Sequence, residues 1–379
     1  MGEKQASGVV NVLSLEKDEA ELARMEYKQR NFGMMKNFGM TLTIISVITG
    51  IPSLFLFGLN TGGPVVMVWG YLIVSVFVMA VGLSMAEIFS AHPTSGGPYY
   101  WAAMLSRKEY APFTSWITGW FNLLGQVAVT AGIGFGCATF LSTAIALGTS
   151  FEPTPNKTIG IFAGVLYSQA VTNTFGVSLL PYLNDVSVFF HSFGTAAVVV
   201  AVLAAAPRHQ SAKFVFTAFS DNTGDGAVGW GERASHAYVG IVGILMAQYT
   251  LLGYNSSAHL IEETRNAAMA GSISIILAIS ASAVLGWFMI VGFLFSIQDI
   301  ERTVHSETGL PVMQIFLDTL GRKGAFVAMA VVILCMYLCG TFSMTSNSRM
   351  IYAFARDGGI PGHKFFNYVS PKWRSPIRT

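Results

Sequence analysis

The stretch QYTLLGYNSSAHLIEETRN (residues 248–266) starts as an apolar run fit for a membrane and is then interrupted by small and polar residues. Gly253 lies at the interruption, and two consecutive acids follow it. A helix broken at membrane depth leaves backbone groups unpaired, which costs on the order of several kcal/mol per group unless they line a wet cavity or hold a ligand. The stretch therefore predicts a binding site inside a membrane.

This interruption has a counterpart near the N-terminus. The run SVITGIPSLFLFG (46–58) carries Gly50 and Pro52 in its middle. Two broken helices at corresponding places are typical of an inverted-repeat secondary transporter. The N-termini of the half-helices would face an anionic group and the freed carbonyls a cation, which suits a zwitterion. The alternative is that these residues only kink their helices, as Gly and Pro often do in membranes.

The composition is that of an integral membrane protein. The chain has 379 residues, of which 53% are hydrophobic and 11% charged, against about 25% charged in an ordinary soluble domain. We predict an all-α fold with about eight transmembrane helices, since apolar runs of the required length recur along the chain. The predicted spans are 39–60, 64–87, 112–147, 158–178, 186–206, 237–261, 270–297 and 325–346.

The basic residues predict the orientation of the chain. With the N-terminus in the cytoplasm, fifteen Lys and Arg residues fall on the cytoplasmic side and seven on the other. The positive-inside rule therefore predicts a multi-pass protein with a cytoplasmic N-terminus. The basic residues form no stripe, so no nucleic-acid partner is predicted. Both the plasma membrane and an organelle membrane are compatible with the sequence.

The spans divide into two groups that the outer loop separates. We predict a cytoplasmic tail at 1–38, a first repeat of five spans at 39–206, an outer loop at 207–236, a partial second repeat of three spans at 237–346, and a cytoplasmic segment at 347–379. The second repeat is thus predicted to be incomplete.

Polar residues inside the spans are costly and should face the bundle interior. Gln126 belongs to a stripe of polar residues spaced by four in the third span, so it either contacts substrate or only joins helices. His191 is the one ionisable side chain well inside the fifth span. It is a candidate for proton coupling, and the alternative is a neutral histidine bonded to a neighbouring helix. A sodium site is ranked below a proton, because no carboxylate lies at membrane depth.

Charged residues at the predicted inner ends of the spans are candidates for a cytoplasmic gate. They are Glu87, Glu262, Glu263 and Arg349. The alternative is that they are solvated helix ends of little energetic weight. No motif for an enzyme is present, and the chain lacks His and Cys residues at metal-ligand spacing, so no enzyme activity, cofactor or metal is predicted.

Several stretches together resemble a known family. They are LARMEYKQRNF (22–32), HPTSGGPYYW (92–101), APFTSWITGWFNLLGQ (111–126), KFVFTAF (213–219), QYTLLGYNSSAHLIEETRN (248–266) and TSNSRMIYAFARDGGIP (345–361). They resemble the amino acid/choline transporter family of the amino acid, polyamine and organocation superfamily, with the closest likeness to plant and fungal GABA permeases and bidirectional amino-acid transporters. The resemblance implies a five-plus-five inverted-repeat bundle with broken helices 1 and 6 that works by alternating access.

The resemblance also implies site residues. Backbone amides at Thr49, Gly50 and Ile51 would receive the substrate carboxylate, and carbonyls from Tyr249 to Tyr254 the amine. Gln126 and Tyr254 would add side-chain contacts, and the loop 93–97 would shape the inner gate. Many relatives carry aspartate at the position of Asn255. The asparagine of this chain leaves the site without that negative charge.

The implied function is secondary active transport of amino acids, GABA or related amines. Members of the family have about twelve spans, so we expect this chain to be a C-terminally truncated form. The alternative is a membrane protein that binds ligand or regulates a full-length transporter without transporting, or an inactive fragment.

Overall fold

The computed structural model describes residues 33–224, 229–260, 264, 266–370, 375–376 and 378–379. These residues form helices and turns, with one isolated antiparallel bridge between Thr61 and Asp221. Six described helical stretches are long and apolar enough to cross a membrane. The prediction of an all-α membrane protein is confirmed.

The long helices follow the predicted spans. In chain order they are α1 (Met34–Ile45), α2 (Val47–Asn60), α3 (Gly63–Ala91), α5 (Ala111–Gly148), α6 (Pro155–Phe175), α7 (Leu180–Phe189), α8 (Thr195–Ala205), α14 (Ala267–Ser296) and α16 (Pro311–Arg356). A 3₁₀ turn (Val177–Leu179) precedes α7, and a π-helical turn (Phe190–Gly194) joins α7 to α8.

Short helices lie between the long ones. They are α4 (Pro98–Leu105), α9 (Ala212–Thr217), α10 (Trp230–Arg233), α11 (His236–Gly243), α12 (Leu245–Thr250), α13 (Ser256–His259), α15 (Ile300–Val304) and α17 (His363–Phe366). Of the eight predicted spans, 237–261 is not one helix, because it consists of α11, α12 and α13. The predicted span 158–178 is α6, which is 21 residues long.

The first span is broken, but earlier than the sequence indicated. Its break is at Ser46 (φ 23°, ψ 84°), between α1 and α2. Gly50 and Pro52 both lie inside α2. The proline leaves only a local distortion, at Leu54 (φ −112°, ψ 15°). The sequence-based placement of the break at Gly50 was therefore wrong by four residues.

The last long helix is bent at one glycine. Within α16, Gly321 has φ 66° and ψ 177°, which no helical residue adopts. The ten residues before it, PVMQIFLDTL (311–320), form the first part of α16. The helix after it runs on to Arg356, beyond the predicted end of the span at 346.

The core is held by close approach of α3 and α14. Tyr71 of α3 is fully buried, and its hydroxyl donates to the carbonyl of Ser282 at 2.8 Å. A Cβ at Gly286 would overlap that hydroxyl. Between membrane helices the lipid provides no hydrophobic driving force, so small residues that allow contact and hydrogen bonds of this kind supply the stability.

Asp221 organises the outer loop. Its carboxylate accepts from the hydroxyl and the amide of Thr223 and from the amide of Gly231, which lies in α10. These donors, the Thr223 hydroxyl first, hold the pKa of the Asp221 carboxyl below its usual value. Asp221 also forms a backbone bridge with Thr61, the residue that follows α2. The loop therefore lies against the end of α2.

We predict that Gly286→Ala destabilises the protein by about 1–3 kcal/mol, because the new methyl group overpacks the contact with Tyr71. The measurement is thermal unfolding in detergent, followed by circular dichroism. The matched control is Gly164→Ala on α6, where a Cβ meets nothing within 4 Å. Equal melting temperatures for the two variants would contradict the assigned contact.

Candidate functional site

The sixth predicted span is broken exactly where its sequence turns polar. Residues 251–255 are non-helical and separate α12 from α13. Gly253 has φ +96°, and a Cβ there would lie 2.6 Å from Cγ2 of Ile44. Only glycine adopts this backbone conformation without strain. The break in this span therefore touches the last turn of α1, directly beside the other break.

The break exposes backbone carbonyls to the protein interior. Tyr249 and Gly253 use theirs locally, for the amides of Leu252 and Ser256. Within the described part of the chain, no donor is found for the carbonyls of Thr250, Leu251, Leu252 and Tyr254. Of the predicted carbonyls from Tyr249 to Tyr254, these four are therefore unpaired.

The amides predicted from the resemblance are largely taken. Thr49 and Gly50 both donate to the carbonyl of Ser46 at 3.0 Å, and Ile51 is fully buried within α2. The first helical amides after the break belong to Val47 and Ile48, for which no described backbone carbonyl serves as acceptor. Gly50 has a different use, since a Cβ there would lie 2.9 Å from Cα of Thr250. It lets α2 and α12 cross closely.

Side chains from two other spans hold the break at Ser46. The thiol of Cys339 on α16 donates to the carbonyl of Ile44 at 3.5 Å, a carbonyl that an unbroken helix would bond internally. His191 Nε2 lies 2.8 Å from the Ser46 hydroxyl. That hydroxyl is also hydrogen-bonded to the hydroxyl of Thr49. The freed carbonyl of Ile44 and the hydroxyl of Ser46 are thus satisfied by residues far away in sequence.

The partners of His191 fix the role of each ring nitrogen. Its Nδ1 lies 2.9 Å from the carbonyl and 3.1 Å from the hydroxyl of Ser187, and because the nearer carbonyl can only accept, we assign the hydrogen to Nδ1. In the neutral ring Nε2 then accepts from Ser46, and a proton added at Nε2 would reverse that bond. His191 belongs to the π-helical turn Phe190–Gly194, a distortion that is frequent at functional sites.

A cavity of about 300 Å³ opens beside the two breaks. It is lined by Ile44, Met85, Phe121, Asn122, Gly125, Gln126, Val129, Leu252, Gly253, Tyr254, Asn255, Ser256, Ser343, Ser346 and Asn347. A smaller cavity of about 20 Å³ shares Ile44, Val129 and Leu252 with it and extends to Ser46, Thr49, Gly50 and Tyr249. All predicted substrate residues except Ile51 therefore lie on one of two adjoining cavities.

Gln126 connects the cavity to the loop 92–97. Its Nε2 lies 3.0 Å from Nε2 of His259, and Nδ1 of His259 lies 3.3 Å from the carbonyl of Ser95. The hydroxyl of the same serine accepts from Arg356 at 3.1 Å. Gln126 thus joins helices and also faces the cavity, and its contact with substrate stays a prediction.

Of the four predicted gate residues, Glu87 and Arg349 belong to the part of the chain that the structure describes, and the gate stays a prediction. Glu87 is exposed on α3, and Arg349 donates to the hydroxyl of Ser348 at 3.1 Å. Glu262 and Glu263 lie outside the described residues. The described charged cluster at this end is another one, in which Asp357 pairs with Arg356 (3.5 Å) and accepts from the hydroxyl of Tyr99 (2.7 Å).

Sequence reasoning missed five polar residues of the site. They line the cavity, although none was proposed to touch substrate: Asn122, Ser256, Ser343, Ser346 and Asn347. Ser343 and Asn347 both bond to Thr130, at 2.6 Å each. The spacing of four predicted that the stripe with Gln126 in the third span faces inward, and Ser343 and Asn347 have the same spacing, but the sequence did not indicate that the two spans meet at one cavity.

The comparisons with known proteins agree with this geometry. A family profile described as amino acid permease matches residues 32–379. An amino-acid permease BAT1 homolog of Oryza sativa subsp. japonica is 40% identical over 375 residues, which cover 94% of this chain and 71% of the relative.

Two further relatives carry functional names. Amino-acid permease BAT1 of Arabidopsis thaliana is 37% identical over 377 residues, covering 95% of this chain and 70% of the relative. A GABA-specific permease of Saccharomyces cerevisiae is 31% identical over 390 residues, covering 99% and 66%.

Proposed function

The chain belongs to the amino acid permease family, and on that premise we propose that it is a secondary transporter of small amino acids or GABA that works by alternating access. The observation that carries the proposal is the meeting of two broken helices, at Ser46 and at Gly253, beside one cavity. Unpaired backbone at membrane depth is retained where it binds a ligand.

The substrate would bind across the two breaks. Its carboxylate would accept from amides at the start of α2, beside Ser46 on the smaller cavity, and its ammonium would donate to the unpaired carbonyls of Leu252 and Tyr254, which line the larger cavity. Gln126, Tyr254 and Asn255 would contact the rest of the molecule from the wall of the larger cavity. The two breaks come from spans one and six, which supports division of the bundle into a first repeat at 39–206 and a second at 237–346.

His191 is our candidate for the coupling proton. It is 2% exposed and bonds directly to the residue at which the first span breaks. Adding a proton at Nε2 reverses the bond to Ser46, and the Ser46 hydroxyl then turns its own hydrogen elsewhere. A positive charge on His191 would thus change the hydrogen bonding of Ser46, next to the backbone amides that would donate to the substrate carboxylate. With the N-terminus in the cytoplasm, the loop 92–97 lies on the cytoplasmic side and would contribute to the inner gate.

The proposal is tested by uptake of labelled amino acids, GABA and choline into proteoliposomes, with and without a pH gradient. We expect Gly253→Val to lower uptake about tenfold or more, because a β-branched residue is strained at positive φ and collides with Ile44. The control is Gly160→Val on α6, where a Cβ meets nothing within 4 Å. Uptake by Gly253→Val at the control level would place the substrate elsewhere. Binding without uptake by the wild type would support a non-transporting, regulatory role.

We expect His191→Asn to remove the stimulation of uptake by a pH gradient, because asparagine can keep a hydrogen bond to Ser46 but takes up no proton. The measurement is the initial rate of uptake between about pH 5 and 8, the range in which histidine titrates. The control is His305→Asn, which removes an exposed histidine in the loop between α15 and α16. A variant that keeps the wild-type pH profile would remove His191 from the coupling.

A further inference from the structure

The larger cavity is lined by apolar and by uncharged polar side chains, and its described lining carries no formal charge. Its polar side chains are amides and hydroxyls, from Asn122, Gln126, Tyr254, Asn255, Ser256, Ser343, Ser346 and Asn347. Among the described lining residues there is no Asp, Glu, Lys, Arg or His. His259 bonds to the far side of Gln126 and is not part of the lining.

The amides of the wall hold one another in fixed orientations. Asn255 donates to Oδ1 of Asn122 at 3.3 Å, and Gln126 approaches the same oxygen at 3.5 Å. Asn347 donates to the backbone carbonyl of Gln126 at 3.0 Å. Since a backbone carbonyl only accepts, Nδ2 of Asn347 must face it, and Oδ1 must face the other way.

This arrangement leaves a matched set of unpartnered atoms in the lining. Within the described part of the chain they are one donor, Nδ2 of Asn122, one acceptor, Oδ1 of Asn347, and the hydroxyls of Ser256 and Ser346, which can do either. The two serines are 2% exposed and Asn347 is 7% exposed. Buried polar groups of this kind are normally satisfied, so a ligand with both donors and acceptors fits them.

We infer that this cavity selects substrates of zero net charge and that Asn255 sets the selectivity. The inference rests on the proposed function and deepens it. A zwitterion such as alanine, glutamine or GABA brings equal and opposite charges, which the amides, hydroxyls and freed carbonyls can solvate. Lysine and arginine bring one further positive charge and glutamate one further negative charge, for which the described wall offers no counter-ion. An uncompensated charge at membrane depth is disfavoured.

Asn255 occupies the position at which a charge would change this balance. It lines the cavity, and its hydrogen bond to Oδ1 of Asn122 orients the side-chain amide of that residue. An aspartate there would place a carboxylate in the wall. Because a carboxylate can only accept hydrogen bonds, it would repel Oδ1 of Asn122, to which Asn255 now donates. Nδ2 of Asn122 would then be drawn toward the carboxylate, so both the charge and the free donor of the cavity would change.

The test compares binding and uptake for wild type, Asn255→Asp and a control. The probes are alanine, glutamine, GABA, lysine, arginine and glutamate, with binding measured by ligand-induced thermal stabilisation of the purified protein. For the wild type we expect the neutral probes to bind about tenfold or more tightly than the charged ones. In Asn255→Asp we expect lysine and arginine to gain about tenfold relative to glutamine. The control is Asn367→Asp, which adds the same charge at an exposed position outside the spans.

The outcomes separate this inference from the proposed function. Selective binding of neutral probes without uptake would leave the selectivity standing and refute transport. Equal binding of lysine and alanine by the wild type would overturn the selectivity, whatever the uptake. An Asn255→Asp protein that is folded and keeps the wild-type preference would remove Asn255 as the determinant. Binding of none of the probes would overturn both proposals.

Discussion

The structure depends on one constraint, which is that every backbone group freed inside the membrane must find a partner. A regular helix satisfies all of its own groups, so a break is stable only where other parts of the bundle supply donors and acceptors. At Ser46, Cys339 of the eighth predicted span donates to the freed carbonyl of Ile44, and His191 of the fifth bonds to the Ser46 hydroxyl. At Gly253 the carbonyls of Leu251 and Leu252 receive no such partner among the described residues. The two breaks therefore differ: side chains from other spans hold the first, whereas the carbonyls freed at the second are left for a ligand.

This difference separates what the sequence could predict from what it could not. The break at Gly253 was located correctly because Gly, Asn and Ser residues interrupt an apolar run, which is a local signal. The break in the first span was misplaced because Gly50 and Pro52 are residue types that disrupt helices, whereas a serine such as Ser46 gives no such signal. Its backbone angles follow from contacts with residues 145 and 293 positions away, a non-local cause that no local pattern carries. Pro52 is tolerated inside α2 with only a distortion at Leu54.

The same reasoning applies to the site. Gln126 and Asn255 were predicted from polar residues in apolar spans, and the cavity brings both together with Gly253 and Tyr254. Asn122 and Asn347 have an equally clear sequence signal, but their meeting depends on how α5 packs against α16. The spacing of four on each helix predicts an inward face and leaves the facing partner undetermined. His259 had no sequence signal of this kind, because no polar stripe includes it, yet in the structure it connects Gln126 to Ser95.

A neutral wall also bears on how a transporter releases what it binds. Alternating access requires that the ligand be held firmly enough to enter and loosely enough to leave on the other side, as in conduction through a pore. A carboxylate facing a ligand ammonium in a dry cavity would form a strong ion pair, and breaking it would leave a buried charge unpaired, which is strongly unfavourable. Amides and hydroxyls give hydrogen bonds of moderate strength that water can replace as soon as the cavity opens. Hydrogen bonds from Asn255 through Asn122, Gln126 and His259 end at the carbonyl of Ser95, so the uncharged cavity wall is connected to the loop 92–97 without an ion pair.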